Sequence, residues 1–126
     1  MIELIEATIE EQEKITEIMT ASFNYDTAFY FGKDATDGPE GYSDGSLATK
    51  ILTDSTSQTW LISYQAEIAG FLTIDSQKWE VQYFCLFPLF INQGLGTKTW
   101  EKIEEHFGHR PWFLETPAYS TRNHAV

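Results

Sequence analysis

Apolar and polar residues alternate from the first positions of the chain. Ile2 and Leu4 fall on one side and Glu3 on the other, with Ala7 continuing the inward set, so residues 2–7 read as a half-buried strand. Thr8-Ile9-Glu10-Glu11 has the spacing of a capping box, in which the threonine hydroxyl and the glutamate side chain each satisfy a backbone amide of the other. Ile15, Ile18, Met19 and Phe23 then recur at helical spacing, which predicts a helix from about Ile9 to Phe23. The period is lost over residues 24–45, which are rich in Gly, Asp, Tyr and Phe. A structureless loop of that length is unusual in a small domain, so this segment is either functional or holds a short helix. A short helix fits better over Ser46–Asp54.

Three strands follow in succession. Trp60–Tyr64 is the first, Gln65-Ala66-Glu67 makes a tight connection, and Ile68–Ile74 is the second. Gly70 inside that second strand predicts a bulge or a close backbone approach. Residues 75–78 turn the chain, and Trp79–Phe87 forms the third strand, antiparallel to its neighbour. Phe84, Cys85, Leu86 and Phe87 are apolar in sequence, so both faces of this strand should be covered. Pro88 ends it. A loop with Gly94 and Gly96 leads into a helix with Trp100, Ile103 and Phe107 on one face, and Gly108 stops that helix. Pro111–Thr116 reads as a last strand. The order β-α-(α)-β-β-β-α-β predicts an α+β domain with a mixed sheet.

At 126 residues the chain is expected to form one domain. Its 42% hydrophobic and 21% charged residues allow a packed core, and 9 Phe, 6 Tyr and 4 Trp help fill it without disulfides. A single cysteine excludes an internal disulfide framework and a Cys-rich zinc site, and no metal is expected. No apolar run approaches the roughly 20 residues of a membrane helix. The acidic N-terminus lacks the basic start of a signal peptide, so a cytoplasmic chain is the expectation. Of the net charge of −11, residues 1–45 carry −9, from 11 acids against Lys14 and Lys33. That field disfavours nucleic acid and anionic membranes as partners and favours a cationic small molecule or basic peptide, although an acidic surface also serves solubility alone.

The passage from Tyr83 to Lys102 carries the candidate chemistry. Glycine lets a backbone approach a ligand closely, and the amides at a helix start have no intrahelical partner. The helix dipole adds partial positive charge there, which makes an anion site suited to phosphate or pyrophosphate. Lys98 and Lys102 add charge of the right sign. The bland alternative is a glycine turn before an ordinary helix. A dinucleotide fingerprint fits worse, because its third glycine would fall on Thr99, and no P-loop pattern is present.

Tyr83-Phe84-Cys85-Leu86-Phe87-Pro88, followed by Gln93-Gly94-Leu95-Gly96-Thr97, resembles the acetyl-CoA-binding motif of the GNAT-family N-acetyltransferases. In that family a strand ends in proline, a loop of pattern [RQ]-x-x-G-x-[GA] follows, and a helix begins. Ile68-Ala69-Gly70-Phe71 looks like the element before it, and Leu114-Glu115-Thr116 with Ser120–His124 resembles the fifth strand and the start of a fourth helix. Two departures stand out. The Arg or Gln of the motif is Ile91 here, and Asn92 stands where glycine is common. The family's fourth helix and last two strands have no counterpart before Val126, which reads as a truncated or degenerate member, or as a sheet that a second chain completes in a homodimer.

The resemblance implies a GNAT-like acyl-CoA N-acyltransferase fold, mainly antiparallel, with acetyl-CoA as cosubstrate and an amine as acceptor. It implies that Gln93, Gly94, Leu95, Gly96, Thr97 and Lys98 hold the pyrophosphate and that the pantetheine arm pairs with backbone at Leu86 and Phe87. A backbone N–H at one of those two residues would polarise the thioester carbonyl. The amine must lose a proton before it attacks, and Glu80, Asp75 and Glu115 are the candidate acceptors of that proton. Cys85, in an apolar strand, reads as inert packing, and Tyr25, Phe29, Tyr30 and Phe31 as core or as walls of an acceptor pocket. The alternative function is a GNAT-like module that binds coenzyme A or a partner chain without catalysis.

Overall fold

The computed structural model describes residues 2–32, 38–75, 77, 80–91, 93–108 and 113–114. Strand β1 spans Ile2–Glu6. A 3-10 turn at Ile9–Glu11 follows, closed by the expected box: the Thr8 N–H donates to the Glu11 carboxylate at 3.1 Å, and the Thr8 side chain accepts from the backbone of the same turn. The turn runs directly into helix α1, Gln12–Phe31, which extends well past the Phe23 end that its apolar spacing predicts. Residues 24–31 are therefore helical, and the reason their period is lost is an inverted pattern. Asp26 and Thr27 point inward and are buried, while Phe29 and Phe31 are 61% and 68% exposed. Helix α2, Ser46–Thr53, lies where expected, with Leu47, Ala48 and Ile51 buried.

Strands β2 (Ser57–Tyr64), β3 (Glu67–Asp75) and β4 (Glu80–Leu86) form an antiparallel meander, and β1 pairs antiparallel with β2. The β2–β3 turn is a two-residue connection with both Gln65 and Ala66 at positive φ, the geometry whose twist suits a tight hairpin. Two register shifts interrupt the meander, one between Ile62 and Ser63 and one between Thr73 and Ile74. After a 3-10 turn at Pro88–Phe90 comes helix α3, Leu95–Phe107, ended by Gly108 at φ 76°. Strand β5, Phe113–Leu114, joins β4 in parallel at Glu80 and Val81, so the strand order is β1-β2-β3-β4-β5. The sheet is mixed and mainly antiparallel, as its pattern predicts.

Each face of the sheet has its own core. On one, Ile62, Leu72, Ile74, Phe84 and Leu86 pack under α3 through Leu95 and Ile103. On the other, Leu61, Phe71 and Cys85 pack under α1 and α2 through Ile15, Ile18, Met19, Phe23 and Ile51. Burial on both faces explains the consecutive apolar run in β4. Among the described residues no helix is long and apolar enough to cross a membrane.

Candidate functional site

Gly70 fixes how closely β3 approaches the end of β4. A Cβ there would collide with the Cys85 carbonyl oxygen and lie within 3 Å of Leu86. The predicted close approach is thus to the residues beside the candidate site. Gly70 pairs with Leu86 and Phe71 with Cys85. Beyond them the Phe87 N–H donates to the Ala69 carbonyl at 2.8 Å. Antiparallel pairs alternate between hydrogen-bonded and non-hydrogen-bonded. The amides of Cys85 and Phe87 therefore face β3, and that of Leu86 faces the opposite side, toward β5. This corrects the expectation for Phe87, whose N–H is already engaged and is no donor for a developing oxyanion. The Leu86 N–H is directed away from β3, and β5 meets β4 only at Glu80 and Val81 among the described residues.

The start of α3 lies just past this strand end. Its N-cap is Gly94, at φ 73°, with open space where a Cβ would be and no side-chain cap. The first amide with a helical partner is that of Lys98, which reaches the Gly94 carbonyl at 3.4 Å. Leu95, Gly96 and Thr97 precede it, so their N–H groups point out of the helix end. The other two helices are preceded by closed turns: the Thr8 box closes the 3-10 turn that runs into α1, and before α2 Asp44 accepts from the Ser46 N–H at 2.9 Å while the Leu47 N–H donates to the Gly41 carbonyl. Gln93 is held in the loop, its side-chain amide donating to the Leu89 carbonyl at 2.8 Å. The Lys98 ammonium sits 5.3 Å from the Tyr64 ring centroid, whereas that of Lys102 pairs with Glu105 at 3.6 Å. Ile91, in place of the motif's polar residue, is buried in the core under α3. Asn92 lies outside the described residues.

A cavity of about 520 Å³ opens beside the end of β4, lined by Lys14, Glu67, Ile68 and Phe87–Phe90. A larger hollow of about 620 Å³ lies between β1 and the C-terminal half of α3, against Trp60 and His106, and of the residues given a part in the candidate chemistry it touches Lys102. Of the candidate cosubstrate-binding residues, the smaller cavity touches Phe87.

The candidate carboxylates are spread out. Asp75 and Glu80 pair across the β3–β4 hairpin at the far end of β4 from Leu86. The length of β4 separates Glu80 from Leu86, about 20 Å at the usual rise per residue. Asp75 is buried, and its Oδ1 accepts from the Gln77 N–H at 2.9 Å. Glu115 lies outside the described residues, as do the expected strand end at Thr116 and the segment Ser120–His124. Burial pushes the Cys85 thiol far above its ordinary pKa, the nearby Asp26 charge adding to the shift and a Ser22 hydrogen bond opposing it, so the thiol is inert. Among the described residues no cluster of three His, Cys, Asp or Glu is arranged to hold a metal.

Sequence reasoning missed Ser22 and Asp26. Both are fully buried, and both continue the inward stripe of Ile15, Ile18 and Met19 at spacings of three and four. The signal that could have found them is an acid placed on an apolar stripe.

No protein-family model matches the chain, and no curated protein matches it in sequence. Solved structures do. An acetyltransferase from Thermus thermophilus superposes with a TM-score of 0.64 at 15% identity, over 90% of this chain and 74% of that one. The PaiA N-acetyltransferase of Thermoplasma acidophilum, in complex with coenzyme A, gives 0.61 at 19%, over 86% and 74%. An aminoglycoside acetyltransferase from an uncultured soil metagenomic sample, in complex with sisomicin, gives 0.55 at 11%, over 99% and 88%. With the meander, the parallel fifth strand and the glycine-capped helix after β4, these likenesses give the chain the fold of the GNAT-family N-acetyltransferases.

Proposed function

We propose that this protein is an N-acetyltransferase that moves an acetyl group from acetyl-CoA to a primary amine. The observation that carries the reading is the start of α3: outward N–H groups at Leu95, Gly96 and Thr97, capped by a glycine, beside a strand whose Leu86 N–H is turned away from its neighbour. Amides so placed suit a diphosphate, and Lys98 adds a cation within the same turn. The exposed side of β4 offers backbone to which an amide-bearing pantetheine arm can add like a strand. The Leu86 N–H then stabilises the oxyanion that forms when the amine attacks the thioester carbonyl. Glu80, Asp75 and Glu115 are the carboxylates that the sequence offers for taking the amine's proton, and the negative N-terminal third favours a cationic acceptor.

A non-catalytic coenzyme A-binding module is the second reading, favoured by Ile91, which buries the position where the motif has a polar side chain. Calorimetric titration with coenzyme A, followed by an assay of thiol release from acetyl-CoA with a panel of amines, separates the two. Binding with amine-dependent thiol release supports the transferase. Binding without release leaves the module, and absence of binding removes both.

A further inference from the structure

Strand β1 is an edge of the sheet: among the described residues it pairs with β2 alone. The Ala7 N–H donates to the Thr59 carbonyl at 2.9 Å, which sets the phase of that pairing. Ala7, Ile5 and Glu3 then form the hydrogen-bonded pairs, and the backbone N–H and C=O of Leu4 and Glu6 point away from β2. Such a row is a template for one more strand.

The surroundings of this edge have a definite chemistry. The hollow of about 620 Å³ between β1 and α3 is lined in part by Glu3, Glu6, Trp60, Glu105 and His106. A second hollow, of about 530 Å³, lies where the end of β1 meets α2 and the start of β2, and it shares Glu6, Trp60 and His106 with the first. The two make one trough that passes Glu6. Trp60 and His106 meet edge to face, with ring centroids 5.8 Å apart, and give the trough an aromatic wall. Glu3 and Glu6 are exposed, and their carboxylates have no ion pair among the described residues. The lysine that lines the trough, Lys102, is tied to Glu105 at 3.6 Å. Ile5 projects from the opposite face of β1 to Leu4 and Glu6, and it is exposed, as is Ile9 beyond the strand end.

We propose that the open edge of β1 takes an extended basic peptide as an added strand. Its lysine or arginine side chains enter the trough against Glu6 and Trp60, and the apolar residues between them lie against Ile5. Charge chooses this occupant. A second copy of the chain brings a net charge of −11 and its own Glu3 and Glu6, which oppose edge-to-edge pairing. A basic segment gains the same backbone hydrogen bonds with attraction in place of repulsion. The proposal does not depend on acetyl transfer, because β1 and β4 are separated by β2 and β3, about 14 Å across the sheet.

The probe is a short blocked peptide of alternating lysine and valine, followed in nitrogen–proton correlation spectra and by amide exchange. It is expected to shift the Leu4 and Glu6 amide peaks and the Trp60 indole peak. At saturation it is expected to slow exchange of the Leu4 and Glu6 amides about tenfold or more, with those of Glu3 and Ile5 little changed. The Glu3→Gln, Glu6→Gln double variant is expected to bind about fivefold more weakly. Glu6→Pro removes an N–H that faces outward and leaves the β1–β2 bonds in place, and it is expected to bind about tenfold more weakly than Glu6→Gln. The double variant changes exposed side chains alone and keeps the test open should the proline variant fail to fold. Absence of shifts at Leu4 and Glu6 up to about 1 mM peptide overturns the proposal. So does equal binding of the glutamate–valine counterpart, or of lysine amide by itself, which would make the trough a site for a small cation. Concentration-dependent shifts of the same amides in the protein alone overturn it by giving the edge to a second copy.

Discussion

The Phe87 N–H donates to the Ala69 carbonyl oxygen at 2.8 Å, and this bond fixes which way each amide at the end of β4 faces. Because pairing alternates, Cys85 and Phe87 are committed to β3 and Leu86 is turned outward. Amide resonances report this directly. In a nitrogen–proton correlation spectrum, coenzyme A is expected to shift the Leu86, Leu95, Gly96 and Thr97 peaks strongly and the Cys85 and Phe87 peaks weakly. The free protein's Leu86 amide is expected to exchange with solvent faster than those of Cys85 and Phe87. Equal shifts along residues 84–87 would contradict the register.

Gly70 leaves no room for a side chain. Gly70→Ala sets a methyl against the Cys85 carbonyl and Leu86, where backbone must move. It is expected to cost about 1–3 kcal/mol of stability, read from urea unfolding, and to weaken coenzyme A binding by displacing Leu86.

Thr99 is a wholly buried residue of α3, and its hydroxyl makes no hydrogen bond among the described residues. Thr99→Val keeps the shape and removes the stranded hydroxyl. The variant is expected to be as stable as the parent or up to about 1 kcal/mol more so by the same unfolding measurement. A loss of that size would show that the hydroxyl has a partner.

Cys85 is buried on a tightly paired strand, and its thiol is held protonated at neutral pH. A thiol-reactive chromophore is expected to label it only after denaturant is added. Rapid labelling of the native protein would show that β4 opens readily.

Asp44 and Asp54 each accept two hydrogen bonds, from the amide and hydroxyl of Ser46 and of Thr56. These bonds, the side-chain one foremost, hold both carboxyls below their ordinary pKa. A depressed folded pKa gives stability that is present above the unfolded value, about 3.9, and lost as pH falls through the folded one. The Asp44→Asn, Asp54→Asn double variant is therefore expected to show a melting temperature that falls less between pH 6 and about pH 3 than the parent's does.

Much of this architecture is legible from spacing. Alternation marks β1, the Thr8–Glu11 box marks the first helix start, and the two glycines mark the start of α3. These signals are local, and nearby residues impose them. The end of α1 is not legible, because residues 24–31 place Asp26 and Thr27 inside and Phe29 and Phe31 outside, against the expected solvent preference. Asp26 escapes notice for the same reason: one acid among the 11 of residues 1–45 reads as surface. The direction of the Phe87 amide depends on strand register, which is set across β3 and β4 by pairing that no single segment encodes.

The burial of Ile91 bears on how a charged cosubstrate would be held. With that position given to the core, the diphosphate would meet peptide dipoles and Lys98 rather than a guanidinium, on a body whose net charge is −11. At long range, protein and polyanion repel each other, and dissolved ions screen that repulsion over about 10 Å at roughly 0.1 M. Recognition would then depend on shape more than on attraction, and moderate ionic strength would speed capture rather than slow it.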